Sequence, residues 1–157
     1  MIVLGIDQSL TSTGWSLKED GVLKEHGILT SDKTQTNFER AIVVADQIFN
    51  LDKKFKPDKS VIEGIPFMSR SNVTRDLAGL QFLIVDRLLR DEWETLDIVP
   101  PTKLKKFATG SGKASKDEMV EALPEGVKEK FEKIPKTKGR YDLADSYWLA
   151  TFGEGDE

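Results

Sequence analysis

The first thirty residues read as three consecutive strands, and this opening constrains the fold more than any other feature. Val3 to Ile6 is an apolar run that looks like a buried strand, and Gly14 to Leu17 and Val22 to Leu29 look like the next two, turned at Glu19-Asp20-Gly21. The pattern then changes. Phe38, Ala41, Ile42, Ala45, Ile48 and Phe49 keep helical spacing, and Lys56-Pro57-Asp58 ends that helix. Ser60 to Glu63 reads as a fourth strand, and Asp97 to Val99 as a fifth, closed by Pro100-Pro101. Strands first, then strands alternating with helices, predict an α/β chain with a five-stranded mixed sheet flanked by helices. No repeat or long linker divides the 157 residues, so a single domain is expected over 1–152, followed by an acidic tail at 153–157.

The strongest helical pattern, 72–90, carries two apolar stripes. One is Val73, Leu77, Leu80, Ile84 and Leu88; the other is Ala78, Phe82, Val85 and Leu89. A helix apolar on two sides is buried on two sides, either as the central helix of a monomer or with one face in the core and one in a homodimer.

Four acids stand out by position. Asp7 and Glu63 each end a strand, which is where sheet proteins of this class place their sites. Asp142 and Asp145, in the last helical segment, are three apart and share one helix face. Cysteine is absent, so a metal must be held by oxygen or by the lone His26, which lies in a strand pattern away from these acids. A cluster of four carboxylates suits phosphodiester hydrolysis, in which two divalent ions about 3.5–4 Å apart stabilise the attacking and leaving oxygens. Each acid taken alone has an ordinary alternative: an Asx turn at Asp7, a solvated turn at Glu63, and helix-start stabilisation at Asp142 and Asp145.

The net charge of −4 argues against a polyanionic partner until its distribution is considered. Lys103, Lys105, Lys106, Lys113 and Lys116 follow Pro101 with no acid among them, and Lys136, Lys138 and Arg140 form a second basic cluster. Ser115 with Glu118 fits a capping box, and Thr102 is a candidate cap for another helix, so lysines stand at two helix starts, where anions bind. Thr109-Gly110-Ser111-Gly112-Lys113 lacks the full P-loop spacing, and no nucleotide cofactor is expected. Met1 leads straight into a strand with no signal or membrane segment, so a cytoplasmic protein with no membrane contact is expected.

These landmarks carry a resemblance. Ile6-Asp7-Gln8-Ser9-Leu10-Thr11-Ser12-Thr13-Gly14-Trp15 resembles the opening motif of the RuvC Holliday-junction resolvases, and Val61-Ile62-Glu63-Gly64-Ile65-Pro66-Phe67 is similar to their second acidic motif. Pro101 to Lys116 is similar to their proline, lysine, glycine-x-glycine, lysine stretch, and Asp142-Leu143-Ala144-Asp145 to their terminal acidic pair. The resemblance spans nearly the whole chain and implies an RNase H-like fold acting as a homodimer through helix 72–90. It implies Asp7, Glu63, Asp142 and Asp145 as catalytic metal ligands, Lys105 and Lys116 as catalytic basic residues, and two Mg²⁺ ions per site, with Mn²⁺ as a substitute. It also implies Phe67 as the aromatic that stacks on opened bases of a four-way junction; together with Arg70, Lys103, Lys106, Lys113, Lys138 and Arg140, the residues Phe67, Lys105 and Lys116 are the expected contacts to branched DNA. Gln8-Ser9 departs from the Pro-Gly usual after the first aspartate, and Gly64-Ile65-Pro66 rebuilds the loop before Phe67. The compact chain looks more like a phage-type member, working in the host cytoplasm, than a bacterial housekeeping one. Two other readings share these features: an actin-like ATPase or sugar kinase, from the strand, aspartate and Ser/Thr turn, and a non-catalytic protein that binds branched DNA.

Overall fold

The computed structural model describes residues 1–65, 71–90 and 95–155. β1 (Ile2–Asp7), β2 (Ser12–Glu19) and β3 (Val22–Thr30) form an antiparallel meander; β4 (Lys59–Glu63) and β5 (Thr95–Val99) extend the other side of β1 in parallel. The order is β3-β2-β1-β4-β5, the mixed five-stranded sheet expected. The β2–β3 hairpin turns on Asp20 at φ 50° and Gly21 at φ 81°, two left-handed residues whose twist suits the strands they join.

β1 is central and divides its side chains between two cores. Leu4 and Ile6 pack with Ala45 and Ile48 of α1 (Asn37–Phe55) and with Leu80 and Ile84 of α2 (Asn72–Leu88). On the other face Val3 packs with Val61, Val99, Leu104 of α3 (Pro101–Thr109) and Leu149 of α6 (Arg140–Glu154). Between α3 and α6, α4 (Lys116–Glu121) and α5 (Glu125–Glu132) close a third cluster in which Phe131 is fully buried against Leu143 and Tyr147.

Helix starts follow their local chemistry, with one correction. Thr36 and Glu39 cap α1 reciprocally, and Ser115 Oγ accepts from the Glu118 amide to start α4. Thr102 is not a cap: α3 begins at Pro101, after Pro100 in extended conformation. Proline at the first helical position already has the right φ and lacks only an amide that had no helical partner.

The two stripes of α2 have different fates. Leu80, Ile84 and Leu88 are buried in the core, while Phe82 and Leu89 of the second stripe are 78% and 61% exposed. Val73 departs from the first stripe: it lies on the first turn of the helix, beyond the covering core, and is exposed.

α6 runs alongside β2. Three polar contacts join the two from one end to the other. Ser12 Oγ donates to Asp142 Oδ2 at 2.7 Å, the Ser16 and Ser146 hydroxyls pair at 2.8 Å, and Lys18 Nζ reaches Glu154 Oε2 at 2.6 Å. Gly153 and Glu154, read from sequence as the start of a tail, are therefore the last turn of a docked helix. Among the described residues no helix is long and apolar enough to cross a membrane.

Candidate active site

The sheet sets the position of the first two acids. The parallel ladder between β1 and β4 ends with Ile6 opposite Ile62, so Asp7 and Glu63 follow side by side at the edge where both strands stop. On its other flank Asp7 is paired with Gly14 of β2, and α6 descends onto that glycine: a Cβ there would stand 2.3 Å from the Asp142 carbonyl oxygen. Glycine is what allows the first turn of α6 to reach Asp7. Asp145 follows on the same helix face, and all four acids line one cleft of about 500 Å³.

Crowding acids in a partly buried cleft disfavours their charged forms. Burial pushes Asp7 well above the usual carboxylate range, reinforced by repulsion from Asp145, Glu63 and Asp142 and by a hydrogen bond with Asp142. Asp145 is pushed up to about 7, first by burial and then by Glu63 and Asp142, against the pull of Lys105 and Lys116. Glu63 is raised by burial, with the same two lysines opposing. The charges acting most strongly on Asp7 are all negative.

That imbalance and the donor chemistry fit a divalent cation. All four acids are hard oxygen donors, the type Mg²⁺ and Mn²⁺ prefer. Among the described residues no three metal-ligating side chains already close on one point as a finished shell. The acids line the walls of a common space instead.

The lysines expected at the site divide into groups. Lys105 and Lys116 line a second hollow of about 210 Å³ with Pro101 and Met119, and Glu63, Lys116 and Asp145 border both hollows, making one continuous groove. Lys116 lies in the first turn of α4, with its Nζ 5.7 Å from the centre of the Tyr141 ring. Lys103 lies over the Phe152 ring at 4.8 Å; Lys106, Lys113 and Lys138 are exposed. Arg140 Nε and Nη2 donate to the Ile134 and Glu132 carbonyls, at 2.8 and 2.7 Å, which ties down the approach to α6. Phe67 and Arg70 lie outside the described residues. His26 is a strand residue against Phe131, with ring centres 5.1 Å apart, away from the cleft.

Sequence reading missed several cleft residues. Gln8, Ser9, Thr11, Arg40, Asp76 and Tyr141 also line it, and Ser12 bonds Asp142. The polar run after Asp7 was the available signal; Arg40 and Asp76 come from α1 and α2 and had none.

Fold and site together define a sheet-edge, acid-lined hydrolase of the kind that handles phosphodiesters. No family model matches the chain. Among curated relatives, the crossover junction endodeoxyribonuclease RuvC of Prochlorococcus marinus strain MIT 9211 is 30% identical over 127 residues, 78% of this chain and 79% of the relative. The RuvC of Prochlorococcus marinus strain SARG is 29% identical over 158 residues, 98% of this chain and 97% of its own. Thermus thermophilus RuvC, solved in complex with a Holliday junction substrate, superposes with a TM-score of 0.73 at 19% identity, over 96% of this chain and 90% of that one, and shares the fold. The chain belongs to the RuvC family of crossover junction endodeoxyribonucleases.

Proposed function

We propose that this chain is a metal-dependent endonuclease that binds branched DNA and resolves four-way junctions. The observation that carries the reading is the gathering of Asp7, Glu63, Asp142 and Asp145 in one cleft that continues into a lysine-lined hollow. Family membership supplies the substrate class.

In this reading Asp7, Glu63, Asp142 and Asp145 would hold two Mg²⁺ ions, with Mn²⁺ as a substitute. When bound, the ions activate the attacking water and stabilise the leaving oxygen of an in-line displacement. The rest is the work of the chain. Lys105 and Lys116 hold the phosphate beside the acids and offset charge that develops on it. Lys103, Lys106, Lys113 and Lys138 draw the backbone towards the groove by long-range attraction. Arg140, with two donors committed to carbonyls, serves as a structural tie more than a DNA contact.

Cutting both sides of a junction calls for two sites, and the exposed Phe82 of α2 and Leu89 just after it are the face by which a second copy docks. A DNA substrate fits an intracellular enzyme, and in this reading it works in the cytoplasm.

The test is incubation with a synthetic four-way junction, a matched linear duplex and Mg²⁺ or EDTA. Paired nicks in the junction alone, dependent on Mg²⁺, are expected. Intact junctions with every divalent ion tried would refute the proposal.

A further inference from the structure

The turn after β1 and the first residue of β2 each bond one of the acid-bearing residues. Gln8, 5% exposed at the cleft wall, donates from Nε2 to the Glu63 backbone carbonyl at 2.6 Å. Ser12 Oγ donates to Asp142 Oδ2 at 2.7 Å. The first bond ties the residue after β1 to the last residue of β4, beyond their last ladder pair, Ile6 opposite Ile62. The second acts on a side chain whose terminal torsion is broad and is set by whatever bonds the carboxylate.

The turn is stiff enough to act as a reference. Ser9 Oγ accepts from the amides of Thr11 and Ser12, both at 3.1 Å, and Thr13 Oγ1 accepts from the Ser9 amide at 3.1 Å while donating to the Ser9 carbonyl at 2.8 Å. From outside, Arg40 Nη2 donates to the Leu10 carbonyl at 3.1 Å, and Ser31 Oγ donates to the same oxygen. Its side chains are neutral, so it orients the acids without adding to their repulsion or cancelling the charge a cation needs.

We infer that Ser12 and Gln8 are positioning residues for metal binding: Ser12 sets the rotation of the Asp142 carboxylate, and Gln8 sets the separation of the Glu63 and Asp7 strand ends. This inference rests on the proposed metal-dependent reading of the cleft. Ser12 and Gln8 act through the acids, and neither is assigned a contact with the ion or the DNA.

The test measures Mn²⁺ binding to the DNA-free protein by calorimetry and by the electron paramagnetic resonance of free Mn²⁺, for wild type, S12A, S12T and Q8M. Partners behind metal ligands typically contribute about 10–100-fold in affinity, so S12A and Q8M are each expected to bind Mn²⁺ about 10–100-fold more weakly. The Mg²⁺ concentration for half-maximal nicking should rise in step, excess metal should restore the rate, and S12T should bind as wild type does. Junction affinity in EDTA should stay unchanged. Wild-type Mn²⁺ affinity in both folded variants would overturn the inference and leave the nuclease reading standing. If S12A fails to fold, wild-type affinity in Q8M alone overturns it. A wild-type chain that binds no Mn²⁺ would remove both claims.

Discussion

Gly14 and Asp142 meet backbone to backbone, and an added Cβ at Gly14 would lie 2.3 Å from the Asp142 carbonyl oxygen and 2.9 Å from its Cβ. Because Gly14 is also the ladder partner of Asp7, this contact fixes how near an acid of α6 comes to the acid that ends β1. The clash is with backbone, which cannot swing aside. G14A should therefore destabilise the fold by about 3 kcal/mol or more, at the upper end of overpacking costs, and abolish nicking by lifting α6. Denaturant unfolding and a junction nicking assay check this; a stable, active G14A would show that α6 does not rest on that position.

Asp7 is the acid most surrounded by other acids. D7N keeps its shape and removes its charge, so nicking should fall by about a thousandfold or more, the equivalent of several kcal/mol of lost transition-state stabilisation. Binding of a four-way junction in gel-shift experiments should change little. Full activity in D7N would remove its assigned role.

The raised acids couple metal, protons and stability. A carboxyl whose folded pKa exceeds its unfolded value holds its proton longer in the native state, so its stabilising effect is complete below the unfolded value and disappears as pH rises through the folded one. For Asp145, raised from 3.8 to about 7, the metal-free protein should lose stability as pH rises across that interval. Ions favour the deprotonated acids, so Mg²⁺ should stabilise most above pH of about 7, where no proton has to be displaced. Thermal melts with EDTA and with Mg²⁺, for wild type and D145N, check the sign; D145N should flatten the EDTA profile.

Lys116 sits where the two hollows join. If it contacts a phosphate, K116A should weaken junction binding and lower the slope of log affinity against log salt by about 0.9. K105E and K116E should weaken binding further. Unchanged affinity in all three would leave these lysines a role in solubility alone.

Among the described residues, Phe82 and Leu89 present exposed apolar surface on one side of the chain. Wild type should run as a dimer in sedimentation at micromolar concentration, and F82E with L89E should run as a folded monomer. A wild-type monomer would remove the assigned role of that face.

Much of this was legible in the sequence because its signals are local. The apolar run into Asp7, the strand ending at Glu63 and the spacing of Asp142 and Asp145 each fix a position within its own element, and the sheet edge brings them together. Helix α5 escaped notice because its Glu- and Lys-rich segment shows only Val127 and Phe131 at helical spacing. Glu154 read as tail because its partner, Lys18, lies at the other end of the chain. Ser12 and Gln8 were invisible as positioning groups for the same reason: their partners are 130 and 55 residues away. Thr102 offers a capping hydroxyl, but Pro101 beside it already has the helical φ, so α3 starts there with no side-chain cap.

Whether the four acids form one metal centre is read by anomalous diffraction from crystals soaked in Mn²⁺. The expected result is Mn²⁺ density in the cleft, within coordination distance of Asp7, Glu63, Asp142 and Asp145, and its loss in D7N. A clean map with no peak among those residues at saturating Mn²⁺, or a peak that persists unchanged in D7N, would contradict the account.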